Sequence, residues 1–246
     1  MIGALKRQLL SNFAFIFIFS FLFAVYCQLA VFIFDNVGSG LKHTAVSSNI
    51  SGKLILLDAG HGGEDGGTVG ANGINEKVLN LEMSNALEVY LKFAGFEVVQ
   101  TRTEDVLLYD KSADFKGRKK MLDLAERLRI AKELSPDLFI SIHMNSFPDA
   151  KYSGLTVYYS PNDERSRVAA ELMRASVIEN IQPNNHRELK SAGSNIYLLN
   201  RLDTPSVLVE CGFLSNSAEC ELLCTKEYLH KLSFVLFSSV SSFFEE

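Results

Sequence analysis

The chain has 246 residues, of which 47% are hydrophobic, and a formal net charge of −5. Residues 1–52 contain three basic residues and one acidic residue, which leaves 21 basic and 28 acidic residues, a net charge of −7, in the remainder. Phosphate binding needs clustered Lys and Arg, so this acidic balance argues against nucleic acid as a partner. Three cysteines follow the N-terminal region, and an odd number does not indicate a disulfide framework. We expect Cys211, Cys220 and Cys224 to be packing residues.

The N-terminal region contains an uncharged, apolar segment at residues 13–34. About 20 such residues cross the hydrocarbon core of a bilayer as a helix. Lys6 and Arg7 precede the segment and Asp35 follows it, which predicts a cytoplasmic N-terminus and an extracytoplasmic remainder. A cleaved signal peptide is the alternative, although its apolar core usually has about 7–15 residues. We predict a membrane anchor or uncleaved signal at 1–34, a flexible Gly/Ser-rich linker at 35–52, and a catalytic domain at 53–246.

The predicted catalytic domain alternates between continuous apolar runs and segments with helical spacing of apolar residues. Strands buried on both faces have such continuous runs. Alternating strands and helices predict an α/β fold with a largely parallel sheet flanked by helices. Strands are predicted at 53–58, 96–102, 137–143, 154–160, 195–200 and 206–210, and helices at 76–94, 118–134, 163–180 and 218–244.

Four side chains with potential chemistry fall at the ends of these elements. His61 follows the first strand, His143 ends the third, Glu210 ends the last, and Glu76 begins the first helix. Each alone has an ordinary structural explanation, such as a hydrogen-bonded histidine or a carboxylate that complements a helix dipole. Together they indicate a site, because functional groups gather at the carboxyl edge of open α/β sheets. Two imidazoles and one carboxylate are the ligand set of hydrolytic zinc sites.

The loop between the first strand and the first helix is rich in glycine, with seven glycines in residues 60–73. It lacks the Gly-Lys-Ser/Thr ending of a phosphate-binding loop. We expect the glycines to let the backbone turn tightly enough for His61 and Glu76 to meet at one ion. Of the acidic residues in this loop, Glu64 is expected to face solvent, whereas Asp65 could face solvent or orient a ligand imidazole. Arg127 could bind a substrate carboxylate or form an ion pair.

The sequence resembles the zinc-dependent N-acetylmuramoyl-L-alanine amidases over residues 53–245. The resemblance rests on DAGHGGEDGG at 58–67, Glu76, LFISIHMNS at 138–146 and VLVECGFLSN at 207–216. It implies a mixed six-stranded sheet and hydrolysis of the amide between the lactyl group of N-acetylmuramic acid and L-alanine in peptidoglycan. It also implies one Zn²⁺ ion bound by His61, Glu76 and His143, with Glu210 as the catalytic carboxylate.

The layout of one N-terminal anchor and one bare catalytic domain further resembles the amidases that prepare the spore cortex for germination. That resemblance implies a role in muramic-δ-lactam formation, between the forespore membranes. The alternatives are a zinc peptidase that cuts within the stem peptide, an amidase of vegetative wall remodelling, and a non-catalytic wall-binding protein. The sequence leaves open whether an accessory protein is needed.

Overall fold

The computed structural model describes residues 50–110, 112 and 117–245. The predicted anchor at 1–34 and most of the predicted linker at 35–52 lie outside these residues. Within the described part of the chain, no helix has both the length and the apolar character needed to cross a membrane.

The described residues form six strands and five helices that largely alternate along the chain, as the sequence predicts. In chain order they are β1 (Leu54–Ala59), α1 (Glu76–Phe93), β2 (Glu97–Gln100), α2 (Lys119–Leu134), β3 (Leu138–Asn145), β4 (Thr156–Tyr159), α3 (Arg165–Asn180), β5 (Lys190–Ser191), β6 (Ser206–Phe213), α4 (Ser217–Leu223) and α5 (Lys226–Glu245).

The strands form one mixed sheet in the order β2-β1-β3-β6-β4-β5. Four neighbouring pairs are parallel, and only β4 and β6 run antiparallel. The predicted mixed, largely parallel six-stranded sheet is therefore confirmed. Because β1, β3 and β6 are parallel neighbours, their carboxyl ends lie along one edge, where the ligand and catalytic residues were predicted.

Both faces of the sheet are covered, and alternate side chains of each central strand face opposite sides. Ile55 of β1 and Ile140 of β3 belong to a core cluster with α1, α3 and α5. Leu56 of β1, Phe139 of β3 and Leu208 of β6 pack in a second cluster, with α2 and residues 198–202. The same alternation directs four polar side chains toward the α2 face, namely Asp58, Ser141, His143 and Glu210.

Four predicted elements differ from the structure. Residues 195–200 were predicted as a strand, which is wrong, because they form turns in which Asn200 N–H donates to the Ile196 carbonyl at 3.2 Å. The apolar side chains of this segment, Leu198 and Leu199, are still buried against the sheet. The predicted helix at 218–244 is two helices, α4 and α5, separated at Cys224 and Thr225. Finally, β3 and β6 extend to Asn145 and Phe213, past the predicted ends at His143 and Glu210.

Candidate metal and catalytic site

The three predicted metal ligands come together at the carboxyl edge of the sheet. One potential ligand atom from each of His61, Glu76 and His143 lies within 4.8 Å of the other two. Glu76 Oε1 is 2.9 Å from His143 Nδ1 and 3.3 Å from His61 Nε2. Two imidazole nitrogens and a carboxylate oxygen around one point suit a zinc ion and leave a fourth position for water. The residues present therefore fit the implied metal.

Two glycines of the loop at 60–73 make room for this convergence. A Cβ atom at Gly60 would lie 2.2 Å from Cε1 of His143. One at Gly67, where φ is +68°, would lie 2.5 Å from Oε2 of Glu76 and 2.8 Å from Cδ2 of His61. No side chain fits at those distances, so the loop can pass the ligands only with glycine at these positions.

His61 itself has a backbone conformation that residues other than glycine rarely adopt, with φ at +61°. Such a conformation costs on the order of 1–3 kcal/mol and persists only where the surroundings hold it. Arg127 Nη2 donates to the His61 carbonyl at 2.7 Å, and Asp65 Oδ2 lies 2.9 Å from His61 Nδ1. The predicted ligand His61 is thus held both at its backbone carbonyl and at Nδ1 of its ring.

The contact with Asp65 fixes which nitrogen of His61 faces the metal position. A carboxylate at Nδ1 keeps the proton on that nitrogen and leaves the Nε2 lone pair for an ion. Asp65 also accepts from Gly67 N–H at 3.2 Å, which ties the carboxylate to the same loop. Of the two roles that the sequence left open for Asp65, the structure therefore favours orienting the imidazole of His61. Glu64 is exposed as expected, where it forms an ion pair with Lys119.

The carboxylate of Glu76 is buried yet strongly acidic. Burial alone would raise its pKa, but its hydrogen bonds and charge interactions with His143 and His61 outweigh that effect and hold its pKa far below the usual range. Burial would lower the pKa of His61, and the contacts with Glu76 and Asp65 raise it instead. Thr68 N–H and Met144 N–H donate to the Glu76 oxygens at 2.9 and 3.2 Å. Glu76 is accordingly held as an anion at the position where a cation would bind.

Glu210 lies directly beside the predicted ligands, opposite His143 in the register of β3 and β6. Its Oε2 atom is buried and has no hydrogen-bond partner among the described residues. Burial, reinforced by the charge of Glu76, raises the pKa of Glu210 to about 7, although the neighbouring histidines act in the opposite direction. The nearest arginine in the sequence, Arg201, does not pair with Glu210 and donates to the Tyr197 carbonyl at 3.1 Å. A carboxyl group with a pKa near neutrality is suited to accept and return a proton.

The raised pKa of Glu210 predicts a pH-dependent cost to the stability of the metal-free protein. Its folded pKa of about 7 lies above the ordinary 4.5, so the folded state binds more protons between these values and the free energy of unfolding falls as pH rises through that window. At about 1.4 kcal/mol per pKa unit, the loss reaches about 3 kcal/mol by pH 8. Glu210→Gln has no titratable group at this position, so its stability does not show this pH-dependent loss. Urea unfolding at pH 5 and pH 8 in chelator should therefore show the variant gaining stability relative to wild type at pH 8, and equal differences at both values would contradict the assignment.

The site opens into a cavity of about 210 Å³ on the α2 face of the sheet. Its walls combine the polar groups at the strand ends with apolar side chains from α2 and the turn segment after β5. They include His61, His143, Glu210, Leu124, Tyr197 and Leu199. The misassigned segment at 195–200 therefore supplies part of the wall facing Glu210.

A buried ion-pair network lies beneath the site, and the sequence predicted only part of it. Arg127 donates to Asp58 at 2.7 Å and to Asp123 at 2.7 Å, so the ion-pair alternative for Arg127 is confirmed. Arg102, which no sequence motif marks as functional, donates to the carbonyls of Ala59 and Gly60 at 2.8 and 2.9 Å. Burial and the neighbouring Arg127 lower its pKa to about 10. The one available signal was that Asp58 and Arg102 are the last residues of the strands predicted at 53–58 and 96–102.

The three described cysteines are free, as expected, and their packing differs. Cys211 is fully buried, and burial raises the pKa of its thiol beyond the usual range. Cys220 and Cys224 are not bridged to each other, and both contact the side chain of Asn72, at 3.3 and 3.2 Å. None of the three forms a hydrogen bond with His61, Glu76 or His143.

The comparisons with known proteins cover the same part of the chain. The family model described as N-acetylmuramoyl-L-alanine amidase matches residues 55–240. The chain is 32% identical over 197 residues to the germination-specific N-acetylmuramoyl-L-alanine amidase of Bacillus subtilis (strain 168), covering 80% of this chain and 82% of that protein. It is 28% identical over 211 residues to the amidase LytC of the same strain, covering 85% of this chain but only 38% of LytC.

Two solved structures share both fold and sequence with this chain. The CwlD amidase from Clostridioides difficile, solved in complex with the GerS lipoprotein, is 32% identical with a TM-score of 0.75, covering 78% of this chain and 98% of that one. The amidase AmiC2 of Nostoc punctiforme is 27% identical with a TM-score of 0.67, covering 80% and 99%.

Proposed function

Because the chain belongs to the N-acetylmuramoyl-L-alanine amidase family and is an enzyme of that class, we propose that it hydrolyses its peptidoglycan amide bond with one zinc ion, and that it acts in spore-cortex maturation. The observation that carries the zinc assignment is the convergence of His61, Glu76 and His143 within 4.8 Å. Beside them lies the buried Oε2 atom of Glu210, which has no hydrogen-bond partner among the described residues. Zinc bound there would polarise the lactyl amide carbonyl and lower the pKa of a water molecule.

Glu210 is the proposed general base and acid. Its unpartnered Oε2 accepts a proton from the attacking water, and the same carboxyl group then donates that proton to the departing amine of L-alanine. In the metal-free protein, burial raises the pKa of this carboxyl group to about 7, and its position beside the predicted ligands suits it to exchange a proton with a water molecule there. Asp65 keeps His61 in the tautomer that presents Nε2. The products are a glycan with free lactyl carboxylates and a released stem peptide.

The ligand assignment is tested by metal content. His61→Ala and His143→Ala should each bind zinc far more weakly and copurify with little of it, since each removes one of three protein ligands. The matched control is His230→Ala, which changes an exposed histidine on α5. Metal analysis of the purified proteins, followed by chelation and zinc re-addition to wild type, makes the comparison. Stoichiometric zinc in either ligand variant, at wild-type affinity, would exclude that residue as a ligand.

The principal alternative is a zinc peptidase that cuts within the stem peptide, since it could use the same ligand set. Mass spectrometry of digested peptidoglycan separates the two. New lactyl carboxylates with intact stem peptides support the amidase, whereas shortened peptides still attached to the glycan support the peptidase.

The cortex role is supported by similarity to the germination-specific amidase of Bacillus subtilis, with 82% of that protein covered. An amidase of vegetative wall remodelling is the alternative. Cortex fragments from a strain that lacks this protein should contain no muramic-δ-lactam. Unchanged lactam would overturn the cortex role and leave the amidase assignment intact.

We also propose that the protein is held at a membrane, with its catalytic domain on the extracytoplasmic side, through the apolar segment at residues 13–34. Its peptidoglycan substrate lies on that side. The Clostridioides difficile relative was solved in complex with a lipoprotein, and an accessory lipoprotein is therefore part of the proposal. Fractionation of the full chain tests the anchor, because release into the soluble fraction would contradict it.

A further inference from the structure

A second and larger cavity, of about 920 Å³, lies beside the loop between β3 and β4. We call it the β3–β4 groove. Its walls come from that loop, from the segment between α3 and β5, and from α4. Polar and aromatic side chains dominate, among them Lys151, Tyr152, Asn184, Arg187, Asn216 and Glu219.

The walls of the β3–β4 groove are continuous with the strands that carry the proposed chemistry. The loop at 146–154 follows β3, the strand of His143, and residues 214–216 follow β6, the strand of Glu210. The two loops are joined to each other, because Phe147 N–H donates to Ser215 Oγ at 3.0 Å and Asn216 Nδ2 to the Ala150 carbonyl at 2.9 Å. The groove therefore adjoins the sheet edge where the scissile amide would bind.

Arg187 is the charged side chain of this groove that is held in place but keeps hydrogen-bond donors without partners among the described residues. Its Nε donates to the Ser153 carbonyl at 2.7 Å, and its guanidinium carbon lies 4.2 Å from the ring centre of Phe213 and 5.4 Å from that of Tyr152. Within the described residues, neither Nη atom makes a hydrogen bond or ion pair. A guanidinium held by an Nε hydrogen bond and by contact with two aromatic rings, whose Nη atoms have no partner among the described residues, is arranged to bind a carboxylate.

The other charged groups of the groove already have partners. Glu219 accepts from Gly154 N–H and Phe213 N–H at distances between 2.7 and 3.1 Å. Its charge interacts with that of Arg187, but the two side chains form no direct ion pair. Lys151 forms an ion pair with Asp149 at 2.7 Å. Arg187 is therefore the cation available to an incoming anion.

We propose that the β3–β4 groove binds a free carboxylate of the stem peptide, recognised by Arg187, while the scissile amide lies at the metal site. This inference rests on the proposed function, since it takes peptidoglycan as the ligand. The partly exposed rings of Tyr152 and Phe147, 4.9 Å apart, offer an apolar wall for the aliphatic parts of the peptide.

The test is the KM of full-length protein for glycan fragments whose stem peptides carry free or amidated carboxylates. Hydrogen bonds to a charged group contribute about 1.5–3 kcal/mol, so Arg187→Gln should raise KM for the free-carboxylate substrate at least tenfold while kcat stays unchanged. Amidation should raise the wild-type KM similarly, and Arg187→Gln should then add nothing. Arg167→Gln, an exposed arginine on α3 paired with Glu171, is the matched control.

Two outcomes would overturn the proposal. The first is an unchanged KM in Arg187→Gln, and loss of a bound protein in the same variant would then make the groove a protein-docking site. The second is an equal increase in KM when Arg187→Gln acts on the amidated substrate. If Arg187→Gln does not fold, Tyr152→Ala, which removes one stacking ring, serves instead. Calorimetry of free stem peptide with the Glu210→Gln protein measures binding without turnover. If the stem peptide binds in an Arg187-dependent way but the wild-type protein hydrolyses no peptidoglycan, only the proposed function is contradicted. If the wild-type protein hydrolyses peptidoglycan but neither binding nor KM depends on Arg187, only the groove proposal is contradicted.

Discussion

Glu210→Gln should abolish peptidoglycan hydrolysis while the zinc content of the protein stays that of wild type. The substitution keeps the size and planarity of the side chain but removes its ability to accept the proton of the attacking water. General acid–base catalysis contributes about 10²–10⁴-fold, and here one group serves both steps, so we expect kcat to fall by at least about 10³-fold. Single-turnover release of stem peptide, measured beside metal analysis, gives both quantities.

The control for this prediction is Glu171→Gln, the same chemical change at an exposed glutamate on α3. It should leave kcat and zinc content unchanged. Because Oε2 of Glu210 has no partner to lose among the described residues, Glu210→Gln should fold normally. A kcat within a few fold of wild type would show that another group transfers the proton.

The convergence of the four candidate residues was predictable because each lies next to a strongly patterned element. The buried strands β1, β3 and β6 are continuous apolar runs, and a polar residue at the end of such a run stands out. Parallel neighbours bring those ends together, so the meeting of His61, His143 and Glu210 follows from topology. Glu76 could be added because a zinc site of this type needs a carboxylate.

The sequence pattern could not predict how the site is supported. The apolar residues at 195–200 suit a strand as well as a buried turn, because burial rather than periodicity places Leu198 and Leu199 in the core. Arg102 and Arg127 are distant in sequence from the loop whose carbonyls they bind. A sequence indicates that a charged residue is present but not which backbone carbonyl it reaches in the folded chain.

Arg127 is the support whose loss should cost the most. It is 1% exposed, and its guanidinium joins Asp58, Asp123 and the carbonyls of Ala59 and His61 at 2.7–2.8 Å. Burial and Arg127 act in opposite directions on Asp58, and the net effect is a pKa below its usual range. Breaking a buried ion pair by removing one partner typically costs about 3–5 kcal/mol, because the remaining charges are left buried and uncompensated. Arg127→Met should therefore lower the free energy of unfolding by about that amount.

Two further measurements separate positioning of the metal ligand from stability alone. Arg127→Lys keeps the charge but cannot span Asp58, Asp123 and the His61 carbonyl together. Without the bond to the His61 carbonyl, the left-handed backbone of His61 loses one of its restraints. Zinc affinity should therefore fall by about 10–100-fold, as for other residues that orient ligands. It is measured by competition with a chelator at a temperature where the variant is folded.

The control is Arg129→Met, which changes an exposed arginine on the same helix that is paired with Glu126 and Glu133. This variant should change stability by less than about 1 kcal/mol and leave zinc affinity unchanged. Wild-type zinc affinity in a folded Arg127→Lys protein would limit Arg127 to a role in stability, and the conformation of His61 would then have to be held by its loop and by Asp65.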